Sequence, residues 1–205
     1  MRETKGLKQK AVKGVVWKAA QKYSMTFINF VSDIRLARLL TPYDFGCIGM
    51  LAIFMILAET FIDSGFGSAL IQKKQPTPTD YSTIFYWNLG MSFLLYSVLY
   101  FGAPFVAKFY NIPLLCSILR VQGLILFVYA FNVVQHNQLK KSLRFKTLAV
   151  VYIIASVISL SVTIVMAYQG FGVWSLVAKN LISAVLVSII FWFFVKWRPK
   201  LVFSW

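Results

Sequence analysis

The chain has 205 residues, of which 59% are hydrophobic and only 13% are charged. About a quarter of the residues in a soluble domain are charged. This composition therefore excludes an ordinary soluble fold, because the chain has too few polar residues to cover the surface of one. The 21 basic and six acidic residues give a net charge of +15. In a membrane protein basic residues collect in cytoplasmic loops for topological reasons, so this excess does not indicate a nucleic-acid partner.

Six stretches are long and apolar enough to cross a bilayer, which takes about 20 residues of helix. In chain order they cover roughly residues 14–40, 45–70, 82–106, 114–138, 148–168 and 172–195. The connections are short and contain helix breakers, among them Pro42, Pro76, Pro78, Pro113, Gly170 and Gly172. We therefore predict an all-α integral membrane fold in which residues 1–205 form one domain, a compact up-down bundle of six transmembrane helices.

The N-terminus is basic, but the apolar stretch that follows is too long for a cleavable signal peptide and no small-residue cleavage site closes it. We expect the first span to be an uncleaved signal anchor.

The two cysteines, Cys47 and Cys116, lie far apart in the sequence and belong to no C-x-x-C motif. Both should fall near the same membrane face, so a disulfide is the alternative to two inert buried thiols. We expect no metal site and no cofactor, and the lone His136 does not change this.

Basic residues are distributed very unequally between the two ends of the predicted bundle. One side has fourteen of them, whereas the other, formed by residues 41–44, 107–113 and 169–171, has only Lys108. The positive-inside rule therefore places both termini in the cytoplasm. The fourteen are Arg2, Lys5, Lys8, Lys10, Lys13, Lys73, Lys74, Lys140, Lys141, Arg144, Lys146, Lys196, Arg198 and Lys200.

This topology predicts the behaviour of reporter fusions along the chain. We expect fusions at residues 43, 110 and 170 to report an external location and fusions at residues 76, 143 and 205 an internal one, because successive spans alternate in direction. Paired alkaline phosphatase and fluorescent-protein fusions measure this in whole cells. An external location for residue 205 would contradict the prediction.

Span 1 contains an unusual number of polar residues for a membrane helix. Six of them fall within about 60° of one line along the helix at 100° per residue, so this face should line protein or water rather than lipid. They are Lys18, Gln21, Lys22, Asn29, Ser32 and Asp33. Arg35 and Arg38 lie off that line near the outer end, where snorkelling into the headgroup region is the alternative for each.

Span 2 contains two acids within the predicted membrane. Glu59 lies near its middle and Asp63 lies one turn further in. Asp63 and Lys22 have similar depths on consecutive antiparallel helices, so we predict that they form an ion pair. The alternative is that Asp63 only bonds to the backbone near Gly65 and Gly67.

Two cations, Arg120 in span 4 and Lys179 in span 6, lie about two helical turns in from the outer face, at a depth comparable to that of Arg35. Three cations at one level suggest a ring around a vestibule, and three separate snorkelling side chains are the alternative. The polar cluster at the inner end of span 4 is interpreted as a wet helix end rather than a ligand set. It consists of Asn132, Gln135, His136, Asn137 and Gln138.

Cations outnumber acids among the candidate interior residues. Such an interior would favour an anion, because Arg and Lys donate charge-assisted hydrogen bonds to phosphate oxygens. The candidate cations are Lys18, Lys22, Arg35, Arg120 and Lys179, and the candidate acids are Asp33, Glu59 and Asp63.

Several sequence segments follow one another in a familiar order. They are "KGVVWKAAQKYS", "RLARLLTPYDFG", "FIDSGFGSALIQKK", "TPTDYSTIFYWN", "LRVQGLILFVYAFNVVQHNQLKKSLRFK" and "GFGVWSLV". Together they resemble the Wzx-type polysaccharide and lipopolysaccharide flippases of the MATE-like multidrug/oligosaccharidyl-lipid/polysaccharide superfamily. The resemblance covers nearly the whole chain, and several spaced blocks in order are more specific than any single motif.

The resemblance implies a multi-pass transporter of the bacterial inner membrane. It implies a substrate that is a lipid-linked oligosaccharide on an undecaprenyl pyrophosphate carrier, flipped from the inner to the outer leaflet for envelope polysaccharide biosynthesis. It also implies two six-helix lobes around a central cationic cavity, with the sites for substrate and coupling ion near the lobe interface. The five candidate cations are then hypothetical substrate-binding residues, and the three acids are hypothetical ion-coupling residues.

Members of the resembled family have a second half, whereas this chain stops just after span 6 and corresponds to the N-terminal lobe. We expect a fragment, a truncated gene product or a half-transporter. A second six-helix lobe or a homo-oligomer should then be needed, because a lone lobe would expose the polar face of span 1 to lipid.

Three other classes of function are open for such a bundle. A MATE-like exporter of drugs or cations would need acids to attract its substrate, whereas the predicted interior has the opposite balance. A membrane enzyme would need a catalytic constellation and usually a sizeable loop, neither of which the sequence offers, so we predict no enzymatic activity. A non-transporting structural or assembly protein is the third class.

Overall fold

A computed structural model describes residues 2–63, 77–195 and 197–199 of the chain. Within these ranges the chain is helical and forms no strand. In chain order the helices are α1 (Arg2–Ala37), α2 (Pro42–Asp63), α3 (Pro78–Phe109), α4 (Leu114–Gln122), α5 (Ile125–Lys141), α6 (Phe145–Tyr168) and α7 (Val173–Phe194). The prediction of an all-α membrane fold is confirmed.

Five stretches of the described chain are long and apolar enough to cross a membrane. Helices α2, α3, α6 and α7 supply one each, and α4 with α5 supplies the fifth, Leu114–Lys141. Between α4 and α5 the hydrogen bonds tighten to the i to i−3 pattern, since the Leu124 N–H donates to the Val121 carbonyl oxygen and the Leu126 N–H to that of Gly123. The predicted second span extends beyond α2, and residues 64–70, with Gly65 and Gly67, lie outside the described residues.

Helix α1 contains most of the first predicted span, which was placed at residues 14–40, but it is not among those five stretches. It carries Lys18, Lys22, Asp33 and Arg35, which reduce its apolar character. Its 36 residues reach about 54 Å at about 1.5 Å per residue, which exceeds the hydrocarbon thickness of about 30 Å. The helix is long enough to span, and its crossing of the membrane remains a prediction.

Helices α2 and α7 lie at the centre of the bundle. Helix α2 packs on α3, α4, α5 and α7, and α7 packs on α2, α4, α5 and α6. The largest core cluster joins these elements, with Leu51 and Ile62 from α2, Ala103 from α3, Leu119 from α4 and Val177 from α7. Helix α1 packs mainly on α6 and therefore lies at the edge of the described bundle.

The pattern Thr-Pro-x-Asp starts both α2 and α3. At α2 the Asp44 carboxylate accepts hydrogen bonds from the Thr41 backbone N–H at 2.9 Å and from the Thr41 hydroxyl at 2.7 Å. At α3, Thr77 and Asp80 form a reciprocal capping box followed by a proline at the first helical position. These contacts satisfy groups that a helix start leaves unpaired, so Asp44 has a structural role.

Replacement of Asp44 by alanine should lower the free energy of unfolding by about 1 kcal/mol, because the start of α2 loses the hydrogen bonds that this carboxylate accepts. Asp44→Asn keeps one acceptor oxygen and should cost less. Equilibrium unfolding in mixed micelles measures both variants, and an alanine variant as stable as the wild type would show that the cap contributes nothing.

Candidate functional site

A cavity of about 500 Å³ lies between α2, α4, α5, α6 and α7. Its lining contains more polar residues than is usual between membrane helices. Polar groups inside a membrane bundle usually mark a functional site. The polar residues that line it are Glu59, Asp63, Gln122, Tyr129, Asn132, His136, Asn137, Lys140, Tyr152, Asn180 and Ser183.

The two carboxylates of the cavity come from one face of α2. Glu59 and Asp63 are four residues apart, and side chains at i and i+4 are neighbours on a helix surface. Both are partly buried, and among the described residues neither forms an ion pair with a basic side chain. Lys140 is the only lysine or arginine among the described residues that line the cavity. Two carboxylates and one ammonium favour a cation or a proton over an anion.

Two amide oxygens from residues that line the same cavity are buried without a hydrogen-bond donor. They are Oε1 of Gln122 and Oδ1 of Asn132, which both belong to lining residues and have no hydrogen-bond partner among the described residues. The Gln122 residue is only 5% exposed. An unsatisfied buried polar group costs about 1–3 kcal/mol, so its presence in a folded protein calls for water or a ligand. Carboxylate and amide oxygens are ligands of hard cations.

A separate polar contact joins α1 to α7. The Lys179 ammonium donates a hydrogen bond to Oγ of Ser32 at 3.2 Å and lies 3.9 Å from Oδ1 of Asp33. Ser32 is fully buried, whereas the Asp33 side chain is 63% exposed. This contact links α1 to a helix with which it otherwise shares little packing surface.

The three cations predicted to form a ring have separate surroundings. The Arg120 guanidinium carbon lies 4.3 Å from the centre of the Tyr100 ring, and Nε donates to the Tyr100 carbonyl oxygen at 3.3 Å. Lys179 contacts α1, and Arg35 is exposed on α1. Because Arg120 is held by α3, these contacts do not support a shared vestibule.

The polar face predicted for span 1 is largely uncovered. Lys18, Lys22, Asn29 and Asp33 are exposed, and Ser32 is buried. The exposure follows from the edge position of α1, which packs mainly on α6. Within the described chain this face is therefore an outer surface of the bundle.

The predicted Lys22–Asp63 ion pair is wrong. Asp63 lines the cavity, whereas Lys22 is exposed on α1, and no ion pair joins the two among the described residues. The prediction assumed that consecutive helices pack side by side, but α1 packs on α6 rather than on α2.

The charge balance of the cavity also differs from the predicted interior, because none of the five candidate cations lines it.

The cluster interpreted as a wet helix end is instead interior. Asn132, His136 and Asn137 line the cavity and Gln135 is fully buried, since α5 continues to Lys141 and keeps the cluster inside the bundle. Sequence reasoning also missed five polar residues of the cavity, the tyrosines Tyr129 and Tyr152 among them. Isolated amides and a hydroxyl within apolar helices were the available signal, at Gln122, Asn180 and Ser183.

His136 has an aromatic rather than a metal-binding environment. Its ring stacks on Phe191 with centroids 6.0 Å apart and an interplanar angle of 14°. The described residues contain no group of three or more His, Cys, Asp or Glu side chains that could hold a metal ion. Cys47 and Cys116 are free thiols, so the alternative of a disulfide between them is not present.

Comparison with protein families decides what kind of membrane protein this is. Residues 35–205 match the family Polysacc_synt_3, described as "Polysaccharide biosynthesis protein". The chain belongs to this family. The resemblance to Wzx-type proteins is thereby confirmed, and this member of the polysaccharide biosynthesis family is a multi-pass membrane protein.

Three curated relatives match almost the whole chain. The teichuronic acid biosynthesis protein TuaB of Bacillus subtilis (strain 168) is 26% identical over 193 residues, covering 93% of this chain and 40% of the relative. The lipopolysaccharide biosynthesis protein WzxC of Escherichia coli (strain K12) is 22% identical over 205 residues, with 97% and 41% covered. The succinoglycan biosynthesis transport protein ExoT of Rhizobium meliloti (strain 1021) is 24% identical over 192 residues, with 94% and 39% covered.

The chain thus spans about 40% of the length of these relatives. No solved structure matches it significantly.

Proposed function

We propose that the chain forms one lobe of an exporter that moves a lipid-linked, pyrophosphate-bearing oligosaccharide unit across the bacterial inner membrane during envelope polysaccharide biosynthesis. The observation that carries the proposal is the family match over residues 35–205. The names of TuaB, WzxC and ExoT refer to teichuronic acid biosynthesis, lipopolysaccharide biosynthesis and succinoglycan biosynthesis transport, respectively. The lipid-linked form of the substrate is the expectation drawn from the resemblance to Wzx-type flippases.

The uncovered polar face of α1 supports a two-lobe assembly. Exposed Lys18, Lys22, Asn29 and Asp33 would be unfavourable in contact with lipid. A second six-helix lobe, or a second copy of this chain, placed against α1 would enclose a hydrophilic passage. In that passage lysine and arginine side chains would donate charge-assisted hydrogen bonds to the phosphate oxygens of the substrate.

We propose that the cavity inside the lobe binds the ion whose movement drives export. Glu59 and Asp63 supply negative charge, and the unpartnered oxygens of Gln122 and Asn132 supply neutral ligands. Such an oxygen set suits a small hard cation or an exchangeable proton. Asp33 was predicted as a third coupling acid, but its contact with Lys179 on α7 leaves it outside this set.

Deletion of the coding sequence tests the proposed export. We expect the exported polysaccharide to disappear and the lipid-linked unit to accumulate on the inner leaflet, because its synthesis continues when its transfer is blocked. Mass spectrometry of lipid extracts measures the unit, and a carbohydrate assay of the cell surface measures the polymer. Normal export would contradict the proposal, and loss of both polymer and unit would place the protein in synthesis rather than export.

Arg35 gives a residue-level prediction for the substrate passage. If the Arg35 guanidinium binds two oxygens of the pyrophosphate, Arg35→Lys should reduce export about tenfold. Lysine lacks the planar group that binds two oxygens together, so one charge-assisted hydrogen bond is lost. Arg35→Ala should reduce export further at unchanged protein abundance. Arg38→Lys, an exposed neighbour on the same outer segment, is the matched control. Normal export by Arg35→Ala would remove Arg35 from the substrate site.

The two cavity acids also favour a second candidate, a MATE-like exporter of organic cations. The two candidates differ in what the deletion strain loses. An exporter of cations would leave surface polysaccharide unchanged and make the strain more sensitive to cationic dyes and drugs, whereas the polysaccharide exporter gives the opposite result.

A further inference from the structure

Lys179 has two partners on α1, of which Ser32 accepts a hydrogen bond from its ammonium group and Asp33 lies too far away to accept one. Its ammonium donates to Oγ of Ser32 at 3.2 Å. The Asp33 Oδ1 atom lies 3.9 Å from the same nitrogen, well beyond the usual length of about 2.7–2.9 Å for a charge-assisted N–H···O bond. The carboxylate therefore attracts the ammonium without occupying one of its hydrogen atoms.

The two partners of Lys179 differ in burial. Ser32 is fully buried, so it anchors the ammonium from the interior of the bundle. The Asp33 side chain is 63% exposed and the Lys179 side chain is 20% exposed. An ammonium group has three donors, of which the structure accounts for one among the described residues. The remaining donors and the loosely placed carboxylate lie where the exposed face of α1 meets α7.

We propose that Asp33 is an internal counter-ion for Lys179, which a phosphate or pyrophosphate group displaces when it binds. Phosphate oxygens can approach the ammonium to hydrogen-bonding distance and carry more charge than a carboxylate, so they compete well against a contact of 3.9 Å. This inference rests on the proposed function for the source of the phosphate, which is the carrier of the lipid-linked unit. Displacement of Asp33 also removes one contact between α1 and α7.

Binding of pyrophosphate to the full chain in lipid nanodiscs tests this inference. The variants are Asp33→Asn, Lys179→Met and the double variant. Asp44→Asn is the control, because it makes the same change from carboxylate to amide at the start of α2, where the carboxylate bonds to Thr41 rather than to Lys179. The probes are inorganic pyrophosphate added to discs of zwitterionic lipid and undecaprenyl pyrophosphate incorporated into such discs. Discs that contain phosphatidylglycerol but neither probe show whether an ordinary lipid headgroup binds instead.

Asp33→Asn should lower the Kd for pyrophosphate about twofold to fivefold, the factor expected when a weak exposed ion pair no longer competes. Lys179→Met should raise the Kd about tenfold, for the loss of a charge-assisted hydrogen bond. The double variant should bind no more tightly than Lys179→Met, and Asp44→Asn should bind like the wild type.

The outcomes separate this inference from the proposed function. If the wild type binds pyrophosphate and Asp33→Asn binds it equally or less tightly, the counter-ion role is overturned while the anionic substrate stands. If neither the wild type nor any variant binds either pyrophosphate probe or phosphatidylglycerol, the anionic substrate and the counter-ion role fall together. If only phosphatidylglycerol binds and Asp33→Asn strengthens that binding, the phosphate site stands but its ligand is a bulk lipid headgroup.

Discussion

Replacement of Glu59 by glutamine is expected to reduce polysaccharide export at least about tenfold while the protein remains folded and abundant. The substitution keeps the size of the side chain and removes its charge. A hydrogen bond or ligand contact to a charged group contributes about 1.5–3 kcal/mol, and each 1.4 kcal/mol is about tenfold in an equilibrium constant. A coupling ion held by Glu59, Asp63 and amide oxygens would therefore bind much more weakly. The measurement is the amount of exported polymer in a strain that carries the substitution on the chromosome.

Asp44→Asn is the matched control for Glu59→Gln. It makes the same change from carboxylate to amide on the same helix, at the capping box of α2 and outside the cavity lining. We expect it to leave export close to normal. Export at the wild-type level by Glu59→Gln, at normal protein abundance, would remove the cavity from the coupling mechanism without affecting the assignment of the substrate.

Replacement of Phe191 by alanine is expected to destabilise the fold more than any other substitution considered. The Phe191 ring is fully buried, stacks on His136 and meets the Tyr152 ring edge-on with centroids 5.8 Å apart. Phe→Ala changes in protein cores cost about 3–5 kcal/mol, because the atoms around the resulting void lose their dispersion contacts. Equilibrium unfolding in mixed micelles measures the change in the free energy of unfolding.

Phe193→Ala is the matched control, because Phe193 lies two residues further along α7 and is 83% exposed. Its ring lies on the outer surface of the described bundle, so its loss opens no void in the core and should change the free energy of unfolding little. Equal effects of the two substitutions would show that the packing around Phe191 does not hold the inner part of the bundle together.

The candidate site was only partly accessible to sequence reasoning. Glu59 and Asp63 were recognised because a carboxylate in an apolar helix is costly wherever it points. Their neighbours in the cavity, such as Gln122 and Asn180, come from distant spans, and nothing in their local sequence indicates that they face α2. Lys179 was recognised as a charge at a certain depth, but its contact with Ser32 and Asp33 depends on how α1 is placed against α7.

The sequence by itself determined the fold class, the approximate positions of five helices that are long and apolar enough to cross a membrane, and the family. These depend on local quantities, namely runs of apolar residues, helix breakers and segment order, which no tertiary contact can change. Only the tertiary structure decided that α1 packs on α6, that the cavity is lined by acids and amides, and that Phe191 is buried while Phe193 is exposed. The physical reason is that lipid is as apolar as a helix core, so membrane helices associate through close packing and polar contacts rather than hydrophobicity. An apolar side chain therefore carries no local sign of which surface it faces.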